Sequence, residues 1–129
     1  MQERVEPGIV ARWGPALAVM AVIFMASSIP GSTLPDAGSW DLTFKKGGHI
    51  LGYAFLGAAL LRGLSLGGPP APAQVALAVV LASLYGVTDE LHQVLTPGRG
   101  PSGRDVLIDA AGACLGAVAR AARRRRTAA

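Results

Sequence analysis

Two histidines and several carboxylates stand at spacings suited to proton transfer. Lys45, His49 and Tyr53 recur every fourth residue, so one helical stripe would carry all three. Asp89, His92 and Gln93 share a second helical face, and Asp105 and Asp109 a third. A histidine held by a carboxylate is a general base for water. His49, Asp89, His92 and Asp109 are therefore the candidate catalytic residues. Lys46, Tyr53, Gln93, Arg99, Arg104 and Asp105 are the candidates for holding a substrate around them. The stretch Pro97-Gly98-Arg99-Gly100-Pro101-Ser102-Gly103-Arg104 combines flexible backbone amides, two arginines and a following helix start. Those are the parts of an anion site for a lipid phosphate. A plain turn with arginines at the headgroups explains the same letters.

Each group also has a structural reading. His49 one turn inside a helix could simply bond a neighbouring helix. Asp105 follows Ser102 by three, the capping-box spacing. Glu90 points away from the Asp89/His92 face and reads as an interfacial charge. Asp109 has no capping role and lies a turn deeper, where an ionisable group is costly without a function or a partner.

The elements that position these residues follow from composition. The 129-residue chain is 51% hydrophobic and only 16% charged, with a single cysteine, Cys114. Soluble domains average about 25% charged residues, so a membrane protein is expected and a disulfide framework is excluded. The net charge of +4 does not point to nucleic acid. Its basic cluster, Arg120 and Arg123 to Arg126, has no interleaved aromatics for stacking bases.

Charge-free runs cover residues 13–35, 47–61 and 63–88, and a fourth apolar segment lies between Arg104 and Arg120. A span needs about 20 helical residues. The first run suffices, and the second, about 22 Å long as a helix, reaches further if Lys45, Lys46 and Arg62 snorkel. Gly67-Gly68-Pro69-Pro70 and Pro72 delay the third helix to about Ala73, from where it runs to Thr88 or His92. The expectation is all-α: a polytopic membrane protein with four transmembrane helices in a compact bundle. Residues 1–12 form a cytoplasmic segment, 13–119 the membrane domain and 120–129 a basic tail. A cleaved signal peptide competes for the first segment, but three further apolar segments follow it.

Orientation follows from the basic residues. Arg4, Arg12, Arg62, Arg120 and Arg123 to Arg126 fall on one side, against Lys45, Lys46, Arg99 and Arg104 on the other. Both termini are expected in the cytoplasm of a bacterial inner membrane, with the inverse arrangement as the alternative. The polar ends of all four helices then meet at the outer face. Gly112-x-x-x-Gly116 permits close helix approach, Cys114 lies off that face, and Tyr85 and Trp40 fit near interfaces.

The sequence resembles the VanZ-like family of small integral membrane proteins. Ser27-Ser28-Ile29-Pro30 closes the first helix. Phe44, Lys46, His49, Tyr53 and Leu56-Gly57 fit the second-helix pattern. Tyr85-Gly86, Asp89-Glu90, His92-Gln93, Pro97-Gly98-Arg99, Ser102, Asp105, Asp109, Gly112 and Gly116 fit the longest motif. Lys45 stands where that family commonly has an acid, and Leu95 where it has Phe. The resemblance spans residues 15–119 and implies a cell-envelope setting with a link to resistance to teicoplanin, a glycopeptide antibiotic.

Three functions stay open: an envelope-lipid hydrolase or transferase, a non-enzymatic binder of a lipid-linked cell-wall precursor or of the antibiotic, and a structural membrane partner. The expected partners are membrane lipids, with no nucleic acid. No cofactor is expected; two His and three Asp could supply ligands for a metal-assisted version, but H-E-x-x-H and similar ligand pairs are missing from the sequence, so no metal is expected. Four short helices with charges at one end leave little room for alternating access by a transporter. Oligomeric state is not set by these patterns.

Overall fold

The computed structural model describes residues 7–33, 38, 41–66, 68–100 and 102–129, with the side chains of 41–44 set aside. Trp40 lies outside the described residues. Among the described residues four α-helices follow one another: α1 (Ile9–Ser27), α2 (Asp41–Ser65), α3 (Pro72–Val94) and α4 (Gly103–Ala128), with a 3-10 turn at Gly31–Thr33 after α1. No strand occurs among the described residues. Among the described residues two helices, Ile9–Ser27 and Pro72–Val94, are long and apolar enough to cross a membrane.

The helix ends follow from local chemistry. Pro15 lies inside α1 and has no N–H to give to Ala11 four residues earlier. The Ala11 carbonyl instead accepts from the Arg62 guanidinium of α2 at 2.7 Å. Arg12 answers from α1, donating Nε–H to the Gly63 carbonyl in the last turn of α2 at 2.8 Å. A second carbonyl there, that of Leu64, accepts from the Gln74 amide of α3. Pro72 opens α3, and the Gln74 side chain accepts the Ala71 N–H, one half of a capping box.

All four helices outrun their charge-free segments, α2 and α4 the furthest. α2 starts at Asp41 and carries Lys45, Lys46 and Arg62, so its 25 residues reach about 38 Å. α4 continues through the arginine run to Ala128, making the basic tail a helical extension. The Tyr85 hydroxyl donates to the Met20 carbonyl, midway along α1, at 2.7 Å.

α4 packs mainly on α2 and then on α3, while α1 leans on α2 and touches α3 lightly. The core between them is small: Tyr53, Leu56, Leu61, Ala78, Ala82, Ala113 and Ala117. The distribution is inverted relative to a water-soluble bundle. Asp89, Glu90, Gln93 and Asp109 are buried, while Leu17, Val22, Phe55, Leu84, Leu107 and Leu115 are exposed. An apolar exterior of that extent calls for an apolar surrounding. Cys114 is on that exterior.

Candidate functional site

The site begins with a contact between backbones. A methyl group added to Gly116 would collide with the Ala54 carbonyl, and one added to Gly57 with the Ala113 carbonyl. At Gly112 it would lie 2.6 Å from the Ile50 carbonyl oxygen. Gly112 and Gly116, one turn apart, thus seat α4 directly on the α2 backbone. Asp109 shares that face one turn earlier, and His49 precedes Ile50. The two side chains meet, with His49 Nδ1 3.0 Å from Asp109 Oδ1.

Asp109 is wholly buried and His49 partly exposed. An ionised carboxylate only accepts hydrogen bonds, so Nδ1–H donates to Asp109. Nε2 then keeps the lone pair of a base. Gly86 of α3 makes room behind: a Cβ there would stand 3.4 Å from Asp109 Oδ2 and 3.5 Å from the Tyr53 ring. Asp109 Oδ2 and the Tyr53 hydroxyl are buried without a hydrogen-bond partner among the described residues.

Asp89 belongs to a separate cluster. Its Oδ2 accepts from Ser27 Oγ–H at 2.8 Å and from Gln93 Nε2–H at 3.1 Å. It therefore ties α3 to the end of α1. His92 does not join it. The one hydroxyl hydrogen of Ser28 goes to the Phe24 carbonyl at 2.7 Å. The 2.9 Å contact between His92 Nε2 and Ser28 Oγ accordingly has the histidine as donor. Its ring stacks on Phe24 with centroids 4.4 Å apart. His92 is oriented by a serine and a phenylalanine, not by Asp89.

The glycine-rich loop has internal duties. Arg99 donates to the Ile29 carbonyl at 3.2 Å and the Ala26 carbonyl at 3.3 Å, satisfying acceptors at the end of α1. Gly98, at φ +75°, abuts Gly31, whose N–H donates to the Pro97 carbonyl at 3.1 Å. The capping box expected at Ser102 does not form, since the Ser102 side chain makes no cap bond and the Asp105 N–H goes to the Ser102 carbonyl. Glu90 is not an interfacial charge either. It is buried, and its Oε2 accepts the Ser102 N–H at 2.9 Å, pinning the start of α4 to α3.

Two cavities adjoin at His49. The larger, of about 440 Å³, is polar; Lys46, His49, Gln93, Arg99, Arg104 and Asp105 are among its walls. The smaller, of about 260 Å³, lies between α1 and α2, against Ile23, Ser27, His49, Gly52, Tyr53 and Arg99. Asp109 stands behind His49 without lining either, and Asp89 and His92 line neither. In place of one pocket lined by all the candidates there are two joined cavities, with Asp89 behind Ser27 and Gln93 of their walls and His92 at the periphery. Sequence reasoning passed over Gly52 and Gly31. Nothing marks them among 17 glycines until a neighbouring helix or loop is seen against them. Among the described residues no group of three or more His, Cys, Asp or Glu converges as a metal cage.

Comparison with known proteins gives the same direction as the residues. The VanZ/LLP1 family model matches residues 13–122, from the first turns of α1 to beyond Arg120 in α4. No curated protein and no solved structure matches the chain. With most of its length matched, and all four helices included, the chain belongs to the VanZ/LLP1 family.

Proposed function

We propose that this VanZ-like protein is a four-span protein of the bacterial inner membrane, with both termini in the cytoplasm, that hydrolyses or transfers a phosphate ester of an envelope lipid at its outer face. The carrying observation is the His49–Asp109 pair at 3.0 Å, with its histidine at the junction of the two cavities. The apolar exterior and the polar interior support the membrane setting. Family membership makes a cell-envelope role and a link to glycopeptide resistance part of the same proposal.

In this reading His49 Nε2 takes a proton from water as the water oxygen attacks phosphorus. The phosphorus–oxygen bond to the lipid alcohol breaks, and the departing oxygen takes that proton back from Nε2–H. The products are a free lipid alcohol and phosphate; with an acceptor hydroxyl in place of water the step is a transfer. Asp109 is a positioning residue, holding the imidazole and stabilising its protonated form. Lys46, Arg99 and Arg104 neutralise the phosphate.

The alternative is a binder without chemistry. It is favoured by one observation: Arg99 and the Ser102 amide already spend donors inside the protein. Purified protein in vesicles of bacterial lipid extract, followed by mass spectrometry of the lipid phosphates, separates the two. The enzyme reading expects headgroup loss by the wild type and a drop of about a hundredfold or more in His49→Ala. Binding of lipid phosphates with no turnover by the wild type would leave the binder.

A further inference from the structure

The smaller cavity continues where the polar one stops. Below His49 it is bounded by Ile23 of α1 and Gly52 of α2. The same two residues open a further space of about 230 Å³, lined besides only by Ala18, Val19, Val22 and Phe55. Among the described residues no charged or hydrogen-bonding side chain lines that lower part. Its rim is open to the outside of the bundle, with Val22 and Phe55 both about 60% exposed. From Ser27 at the top to Ala18 at the bottom α1 advances about 14 Å, close to half of the roughly 30 Å hydrocarbon core of a bilayer. The polar cavity meets this groove at Lys45, His49 and Arg99, which line both.

We infer that the groove between α1 and α2 holds the hydrocarbon chain of an anionic lipid drawn sideways from the outer leaflet, with its phosphate in the polar cavity and the reacting ester beside His49. This rests on the proposed reading of the polar cavity as a phosphate site, and adds that the ligand is a lipid seated by its chain. Cationic side chains above and an uncharged, one-leaflet-deep groove below complement the two ends of such an amphiphile. The chain leaves hydrocarbon for hydrocarbon, so the groove contributes little affinity. It determines which chain fits and where the ester rests. Gly52 is the narrow point: a Cβ there meets Ile23 at 3.5 Å, ordinary contact, while a larger side chain fills the gap.

The test uses the full chain in dodecyl maltoside micelles and dodecyl phosphate carrying a diazirine at the chain end. After illumination, labelled residues are identified by mass spectrometry. The expected result is labelling at Val19, Val22 and Phe55 in preference to Leu84 and Leu115, which are as exposed as Val22 and Phe55. Excess unlabelled dodecyl phosphate should suppress it, and inorganic phosphate should not. Gly52→Leu should lose groove labelling and Gly52→Ala should keep it. Ile23→Phe, blocking the gap from the opposite wall, repeats the test should Gly52→Leu fail to fold. Labelling that falls in Lys46→Ala and Arg104→Ala but spreads evenly over the exterior would overturn the groove and leave the phosphate site standing. Suppression by inorganic phosphate as strong as by dodecyl phosphate would mean a free-anion site, and would also overturn the groove. Equal groove labelling by a diazirine dodecyl glucoside would show that the headgroup does not matter, and would overturn the phosphate site itself.

Discussion

The backbone of Gly116 in α4 rests on the carbonyl of Ala54 in α2, with no space for a methyl group between them. That contact, repeated at Gly112 against Ile50, sets the distance at which Asp109 and His49 meet. Gly112→Ala and Gly116→Ala should each therefore pry the helices apart. A destabilisation of about 1–3 kcal/mol is expected for overpacking, read as a lower melting temperature in detergent. His49-dependent function should fall further than the folded fraction. Unchanged melting in both variants would contradict the close approach.

Asp109→Asn tests the pair itself. The amide keeps the size and one acceptor, so the folded, inserted protein should persist with little change in melting. Function should drop sharply, because an amide does not stabilise a protonated imidazole as a carboxylate does. A variant whose function declines only in proportion to its folded fraction would make the pair a packing device.

Arg99 and Arg104 should separate although both border the polar cavity. Arg99→Gln removes two donors from the end of α1 and should cost about 1 kcal/mol of stability, visible as a lower melt. Arg104→Gln should leave the melt in place and weaken binding of dodecyl phosphate. A lower melt in Arg104→Gln with an unchanged melt in Arg99→Gln would assign the capping role the other way round.

The Asp89 cluster should behave as a fastener. Asp89→Ala leaves Ser27 and Gln93 buried without their acceptor, at a cost of about 1–3 kcal/mol. In Asp89→Asn the remaining oxygen can still accept both bonds, so its melt should stay near the parent's. If Asp89→Asn instead loses function with an intact melt, Asp89 takes part in the chemistry.

Orientation is open to labelling in intact cells. With Cys114 replaced by alanine, single cysteines at Ser32 and Ala71, both exposed in connections, are treated with an impermeant maleimide. Ser32 should react and Ala71 should not. The reverse pattern would turn the protein over and move the polar site to the cytoplasm.

Periodicity and charge placement carry much of the architecture. The four apolar segments emerge as four helices because apolar length and the Gly67–Pro72 breakers are local properties. Helix ends were less legible. Whether α2 begins at Asp41 and α4 runs through its arginines depends on neighbouring turns, not on hydropathy. At the site, the alternating direction of the segments placed His49, at the start of the second, and Asp109, at the start of the fourth, at the same end, and Gly112-x-x-x-Gly116 announced a close contact without naming its partner. Which carboxylate would take which histidine was a tertiary matter. Asp89 lies on the same helix as His92, yet Ser27 and Gln93 claim it, because α1 ends against α3 there. Glu90 looked like a surface charge until the turn before α4 brought the Ser102 amide to it. A one-dimensional pattern tells which residues share a face of one helix. Hydrogen bonds and grooves belong to pairs of faces, and those pairs exist only once the backbones have packed.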